Sequence, residues 1–277
     1  MEMTYRENYK FPEGTNVGFK YAVRLLDTLK PDELCPSDLC HAYAYIDRTV
    51  FRLPDTSLVT TTGYMFAQNS LLLEVPYFDT SNVTDMSNMF HYCDKLTTVP
   101  HYDTSKVTNM RSMFNNCRAL TTVPHYDTSN VTNMGSMFDG CTLLKTIPTF
   151  NTSKVTTMSS MFSSCYALES LPALDCGAIM SANQYPLQSY GNNFDKLTDV
   201  GGFLNMKFSW DNTYGLQKCP NLSRESCINI LNGLYDFTGN GETPTSSQAV
   251  LKVHANFLTA VGDDISIGTN KGWTITA

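Results

Sequence analysis

The hexapeptide DTSNVT stands at residues 79–84 and returns unchanged at 127–132, with DTSKVT at 103–108 and NTSKVT at 151–156. Each copy begins 24 residues after the one before. A fixed period of this length, with apolar positions recurring in phase, marks a chain built from stacked units rather than around one closed core. Aligned on Asp55, Asp79, Asp103, Asp127, Asn151 and Asp175, one unit reads DTSKVTNMRSMFNNCRALTTVPHY. The slots of Val107, Met110, Met113, Phe114, Cys117, Leu120, Val123, Pro124 and Tyr126 recur in its neighbours.

Within a unit the apolar residues fall at 107, 110, 113, 114 and 117, a spacing that predicts one face of a helix. Ser105 is its expected N-cap, with Asp103 and Thr104 beside it. LTTV at 120–123 is rich in β-branched residues and predicts a short strand. Pro124 ends it, having no N–H to offer a ladder. The fold class that follows is α/β: a leucine-rich-repeat solenoid of 24-residue helix-plus-short-strand units, its strands forming a parallel sheet. No single unit covers its own apolar stripe, so the stripes are buried by stacking. Three columns read as core: Met86, Met110, Met134 and Met158; Met89, Met113, Met137 and Met161; Phe90, Phe114, Phe138 and Phe162.

Cys93, Cys117, Cys141 and Cys165 form a fourth column, with Asn69 one unit earlier. Buried free thiols, zinc ligands and disulfides are the alternatives. Side chains stacked in one rotamer about 4.8 Å apart all point the same way, which disfavours a disulfide and a tetrahedral metal cage. Cys35, Cys40, Cys176, Cys219 and Cys227 bring the count to nine, an odd number with no C-x-x-C pair, which argues against a secreted disulfide framework. The row of aspartates could hold calcium. Neighbouring carboxylates about 5 Å apart in water repel by roughly 0.8 kcal/mol, and a helix N-terminus favours each by a similar ~0.3–1 kcal/mol. Capping accounts for the row without an ion. The glycosylation-like triplets at 82–84, 130–132, 151–153 and 221–223 read as by-products of the repeat.

Outside the period the chain divides into 1–48, a helical N-terminal cap; 49–190, the repeats; and 191–277, irregular repeats with a C-terminal cap. In the first, Phe19, Ala22, Val23, Leu26 and Leu29 share a helical face, and Ser37 caps a second short helix. Phe51 and Leu53 open the first strand. In the last, LTDVGGFLNMKFSW predicts a strand broken by Gly-Gly. LSRESCINILNGLYDF predicts a helix capped by Ser223, with Ile228, Leu231, Leu234 and Tyr235 inward. AVLKVHA, NFLTAV and WTITA follow as strand, helix and strand, an order that predicts parallel pairing.

The net charge of −7 argues against a footprint on nucleic acid or anionic membrane. No apolar run approaches the length of a membrane span. The first residues, MEMTYRENYKFPEG, lack the basic-then-apolar order of a secretory signal, so the chain is expected to be cytoplasmic at synthesis. Neither a G-x-S-x-G elbow, a phosphate loop, an H-E-x-x-H helix nor a paired-carboxylate site is present. The expectation is a non-enzyme without cofactor or metal. Of the five histidines, His101 and His125 share one slot of adjacent units, and they read as surface residues rather than ligands.

What varies is the outward side of the predicted sheet. Its rows are Leu73, Thr97, Thr121, Lys145 and Glu169; Glu74, Thr98, Thr122, Thr146 and Ser170; and Tyr77, His101, His125, Thr149 and Ala173. Core slots repeat almost unchanged while these differ, as expected where a fixed scaffold presents a surface to a ligand. The candidate ligand-binding residues are therefore Tyr77, Thr97, Thr98, His101, Thr121, Thr122, His125, Lys145, Thr149 and Glu169.

At LTTVPHYDTSNVTNMGSMFDGCTLL the chain resembles the BspA-type leucine-rich-repeat surface proteins, over roughly residues 55–175. Its tail is similar to endings carried by related repeat proteins of gut bacteria and their phages. The resemblance implies an adhesive or binding module at a cell surface, or in phages a virion or tail component. The signal peptide, lipid-attachment cysteine and wall anchor of bacterial members are not found, which shifts the expectation towards the phage. The expected function is a non-enzymatic adhesion module on a phage particle or bacterial surface. Its partner would be a bacterial or host surface glycan or protein, with no nucleic acid and no membrane insertion. The alternative is a structural virion component that contacts other virion proteins.

Overall fold

A residue in the left-handed region reverses the local sense of the backbone, and each unit places two of them four residues apart. They are Tyr64 and Gln68, Asn88 and Tyr92, Ser112 and Asn116, Ser136 and Gly140, Ser160 and Ser164, with φ from 53° to 78°. The computed structural model in which they are seen describes residues 56–57, 59–75, 77–181, 184, 186–187, 194–209, 215–245 and 248–277. The helices expected within 1–48 and the strand at Phe51 and Leu53 lie outside the described residues.

The two reversals replace the expected helix. An α-helix uses its N–H groups internally, whereas here every second one leaves the unit. Met86, Asn88, Phe90 and Tyr92 donate to the carbonyls of Asn109, Arg111, Met113 and Asn115 in the next unit at 2.8–2.9 Å. The intervening N–H groups of Met89, His91 and Cys93 close turns onto Met86, Asn88 and Phe90. One unit on, Met110, Ser112, Phe114 and Asn116 donate in the same way to Asn133, Gly135, Met137 and Asp139. No α-helix therefore forms over 107–117, although Met110, Met113, Phe114 and Cys117 do point inward and are fully buried.

Ser105 is consequently not a helix cap. The Asp103 carboxylate accepts the Ser105 N–H at 3.0 Å, as Asp79 does for Ser81 and Asp127 for Ser129, each a local turn closed by an Asp side chain. The next residue joins the units. The buried hydroxyls of Thr80, Thr104 and Thr128 donate to the carbonyls of Asp103, Asp127 and Asn151 at 2.8–3.0 Å. Parallel bridges then link Thr61, Asp85, Asn109, Asn133 and Thr157 in succession. At the fourth position of the hexapeptide Asn82, Lys106, Asn130 and Lys154 alternate, each Lys Nζ donating to the preceding Asn Oδ1 at 2.6 and 2.9 Å.

The core runs along the stack. Phe66, Phe90, Phe114, Phe138 and Phe162 lie nearly parallel, with successive centroids 5.5–5.8 Å apart and planes within 7°. Phe78, Tyr102, Tyr126 and Phe150 are buried beside them. Cys93, Cys117, Cys141 and Cys165 are free, and each S–H donates to the carbonyl of the Phe one unit back at 3.0–3.1 Å. Burial pushes the Cys93 thiol up to about 12 and the other three well above the usual thiol range.

The strand expected at LTTV is absent at 120–123. Thr97 reaches the Leu73 carbonyl at 3.2 Å and Glu169 reaches that of Lys145 at 2.8 Å, single contacts in place of a ladder. Regular pairing starts only where the period ends. Strand β1 (Ser170–Leu171) pairs in parallel with β3 (Asp199–Val200), and β2 (Leu174–Asp175) with β4 (Phe203–Leu204). Gly201 and Gly202 separate β3 from β4.

Helix α1 (Arg224–Gly233) is capped by Ser223, whose Oγ accepts the Ser226 N–H. Cys227, Ile230 and Leu231 are buried on it, and Leu234 just beyond it. Ile228 and Tyr235, expected inward, are only half-buried because the helix ends at Gly233 and turns its Cys227 edge to the core. Gly233 is required there, since a Cβ would stand 2.5 Å from the Phe203 carbonyl oxygen. Strand β5 (Val250–Lys252) pairs in parallel with β6 (Thr274–Thr276). Between them lie α2 (Ala255–Val261), a 3-10 turn (Gly262–Ile265) and α3 (Ser266–Thr269). Lys271 binds this region together, its ammonium donating to the carbonyls of Leu231, Asn232 and Leu234 at the end of α1. Among the described residues no helix is long and apolar enough to cross a membrane.

Candidate functional site

The residues between the apolar columns decide what the stack shows to its surroundings. In each unit Leu and Val point inward, as Leu96 and Leu120 do at 0% exposure, and the residues between and after them turn out. Tyr77, Thr97, Thr98, His101, Thr121, Thr122, His125, Lys145 and Thr149 are accordingly exposed, and Glu169 is half-buried. The 24-residue period sets them in register along one ridge.

Tyr77 is 66% exposed, and its ring stacks on that of buried Tyr102 at 6.4 Å and 18°. One unit on, the His101 ring lies 6.2 Å from that of Tyr126, tilted at 39°. The exposed rings thus rest on a buried aromatic column that fixes their position. Lys145 and Glu169 pair across adjacent units at 3.1 Å, an exposed ion pair of about 0–1 kcal/mol. Beside the ridge, the backbone N–H of Ser105 and Ser129 hold Asp103 and Asp127 below the usual carboxylate range.

This arrangement presents aromatic faces, hydroxyls and imidazoles to solvent. Among the described residues no three His, Cys, Asp or Glu side chains are grouped to hold a metal ion.

A second surface was not foreseen. Among the residues at and beside the left-handed positions, Tyr64 and Tyr92 are exposed at 51% and 42%, whereas Ser112, Asn115 and Ser163 are buried. A polar column runs there from His91 through Asn115 and Asp139 to Ser163. Asn115 donates to Asp139 at 3.4 Å. Burial raises the Asp139 carboxyl above its usual range, opposed by hydrogen bonds from Ser163 and Asn115. Burial lowers His91, opposed by its hydrogen bond with Asn115. The signal for this surface lay in Asn88, Asn116 and Gly140, residues that visit positive φ readily and fall at the reversals.

The family described as Mycoplasma protein of unknown function, DUF285, matches residues 41–124 and 119–183, more than half of the chain. The match is consistent with a BspA-type repeat protein over the same segment. No curated protein matches the chain.

Proposed function

We propose that this chain, which belongs to the family described as Mycoplasma protein of unknown function, DUF285, is a non-enzymatic binding module of the leucine-rich-repeat solenoid kind. Its ridge from Tyr77 to Glu169 is the recognition surface, and its target is a polysaccharide or envelope protein met at a phage particle or bacterial surface. One observation supports this most directly. The buried columns repeat nearly unchanged, while the exposed ridge is shared by the two central units and changes towards its ends, from Leu73 and Tyr77 to Lys145, Thr149 and Glu169, with Tyr77 and His101 backed by buried aromatic rings. A rigid scaffold with a variable polar-aromatic surface suits recognition, since ordering costs are met before the ligand arrives.

The test is binding of fluorescently labelled protein to panels of gut bacteria and epithelial cells, beside a variant carrying Tyr77→Ala, His101→Ala and His125→Ala. Binding to particular bacteria, lost in the variant, is the result expected of host recognition by a phage. Binding to epithelial cells, lost in the same way, identifies a bacterial adhesin. If neither surface is bound, recognition is refuted and a structural role within a particle takes its place.

A further inference from the structure

Tyr92 occupies a slot that Gln68, Asn116, Gly140 and Ser164 fill in the other units, all with positive φ. Asn and Gly adopt that conformation at little cost, whereas a bulky ring there is an outlier. The core does not explain the choice, because Tyr92 remains 42% exposed. Strained residues that contribute no burial concentrate at binding sites.

Its surroundings are polar, planar and connected. The His91 ring lies 4.5 Å from that of Tyr92. In the next unit, Asn116 donates from Nδ2 to Asn115 Oδ1 at 2.6 Å and accepts at Oδ1 from Arg118 at 3.4 Å. Arg118 stands 3.8 Å from Asp94 Oδ2, a loose pair with the Arg side chain 55% exposed. The other Asp94 oxygen, Oδ1, is buried with no hydrogen-bond partner, a state that is costly and calls for an explanation. Gly140 completes the arrangement. A Cβ there would stand 2.7 Å from Asn116 Oδ1, so only glycine leaves room for the amide.

We infer that Tyr92, Asp94, Asn116 and Arg118 form a binding site for a neutral sugar ring, on a different segment of the unit from the ridge. An aromatic ring packs against the C–H face of a pyranose, and the planar carboxylate, amide and guanidinium match pairs of neighbouring hydroxyls. Arg118 and Asp94 neutralise each other, and the net charge of −7 disfavours an acidic glycan. Asp94 Oδ2 and the Arg118 guanidinium, both partly exposed, are the groups that a sugar's hydroxyls reach.

The test is titration of the full chain with maltohexaose, cellohexaose, mannohexaose and xylohexaose, followed by calorimetry and saturation-transfer NMR. At least one of them is expected to bind. Tyr92→Asn keeps a residue suited to positive φ, so its melting temperature is expected to hold or rise while affinity falls about tenfold or more. Arg118→Ala weakens binding as well, Tyr92→Phe retains it, and the triple ridge variant leaves it unchanged. Binding by none of the four, equal binding by Tyr92→Asn, or loss only in the ridge variant overturns the inference. The ridge proposal is read separately, on whole cells.

Discussion

The repeats and the C-terminal region solve the same burial problem in opposite ways. From residue 59 to about 165 each group is held by a copy of itself: Phe on Phe, Cys on the carbonyl behind Phe, Thr on the carbonyl of the next Asp or Asn. From 194 onward each group is held by something unlike it. Ser223 caps α1, Lys271 closes its other end, Gly233 admits Phe203, and Trp273 donates to the Tyr235 carbonyl. The difference teaches where failure spreads. A redundant stack passes damage to its immediate neighbours, whereas a region fastened by single devices loses several elements with one of them.

The largest effect is expected from Phe114→Ala. The side chain is fully buried between Phe90 and Phe138, and its truncation is expected to cost about 3–5 kcal/mol in urea denaturation. Hydrogen exchange should quicken in the flanking units, while the amides of α1 and β5 keep their protection. Loss of protection everywhere would show one cooperative unit and dissolve the distinction.

Next comes Lys271→Met, which removes the donor shared by three carbonyls at the end of α1. A loss of about 1–3 kcal/mol is expected, with protection falling in α1, β5 and β6 together. Cys117 and Cys141 should stay closed to thiol reagents throughout, since both are fully buried in the stack. Their labelling in this variant would mean that the two regions unfold as one.

The smallest effects are those of pH, and they lie within the stack. Asp103 and Asp127 have folded pKa values held below the ordinary range by Ser105 and Ser129. Their contribution is therefore full above about pH 4, the ordinary carboxylate value, and is lost as pH falls through the folded values. Asp139 has the opposite sign: burial raises it, so its charge opposes folding at neutral pH and protonation relieves this as pH falls. Asp103→Ala with Asp127→Ala should lower the melting temperature by a little at pH 7 and hardly at all below pH 3. Asp139→Asn should raise it at pH 7, with the gain vanishing in acid. A constant offset across pH in either variant would remove the electrostatic account.

The period and the buried columns were legible because stacking forces identical residues into identical slots. The conformation between the slots was not. Inward residues at 110, 113, 114 and 117 fit a helix and equally fit a chain that reverses its hand at 112 and 116. Spacing of apolar residues cannot separate the two, because both return an inward side chain every three or four positions. The residues at the reversals could have: Asn88, Asn116 and Gly140 visit the left-handed region readily, and Ser and Asn are poor helix formers. The exposure of Tyr77, His101 and His125 followed directly from the period, whereas the positive φ of Tyr92 and the contact of Arg118 with Asn116 became visible only through the turn geometry. In the tail, Ser223 and its helix were readable from local capping. The hold of Lys271 on α1 was not, since 37 to 40 residues separate the partners.

The alternation of Asn82, Lys106, Asn130 and Lys154 has an evolutionary consequence. On that column the true repeat is 48 residues, because each ammonium needs an amide behind it. A gene that gained a single copy of its 24-residue segment would set lysine beside lysine, two cations contending for one acceptor, or leave two amides adjacent. A gene that gained two copies together would keep every partner. Inherited changes in length should therefore favour even steps, and a count of units among longer and shorter alleles would show it.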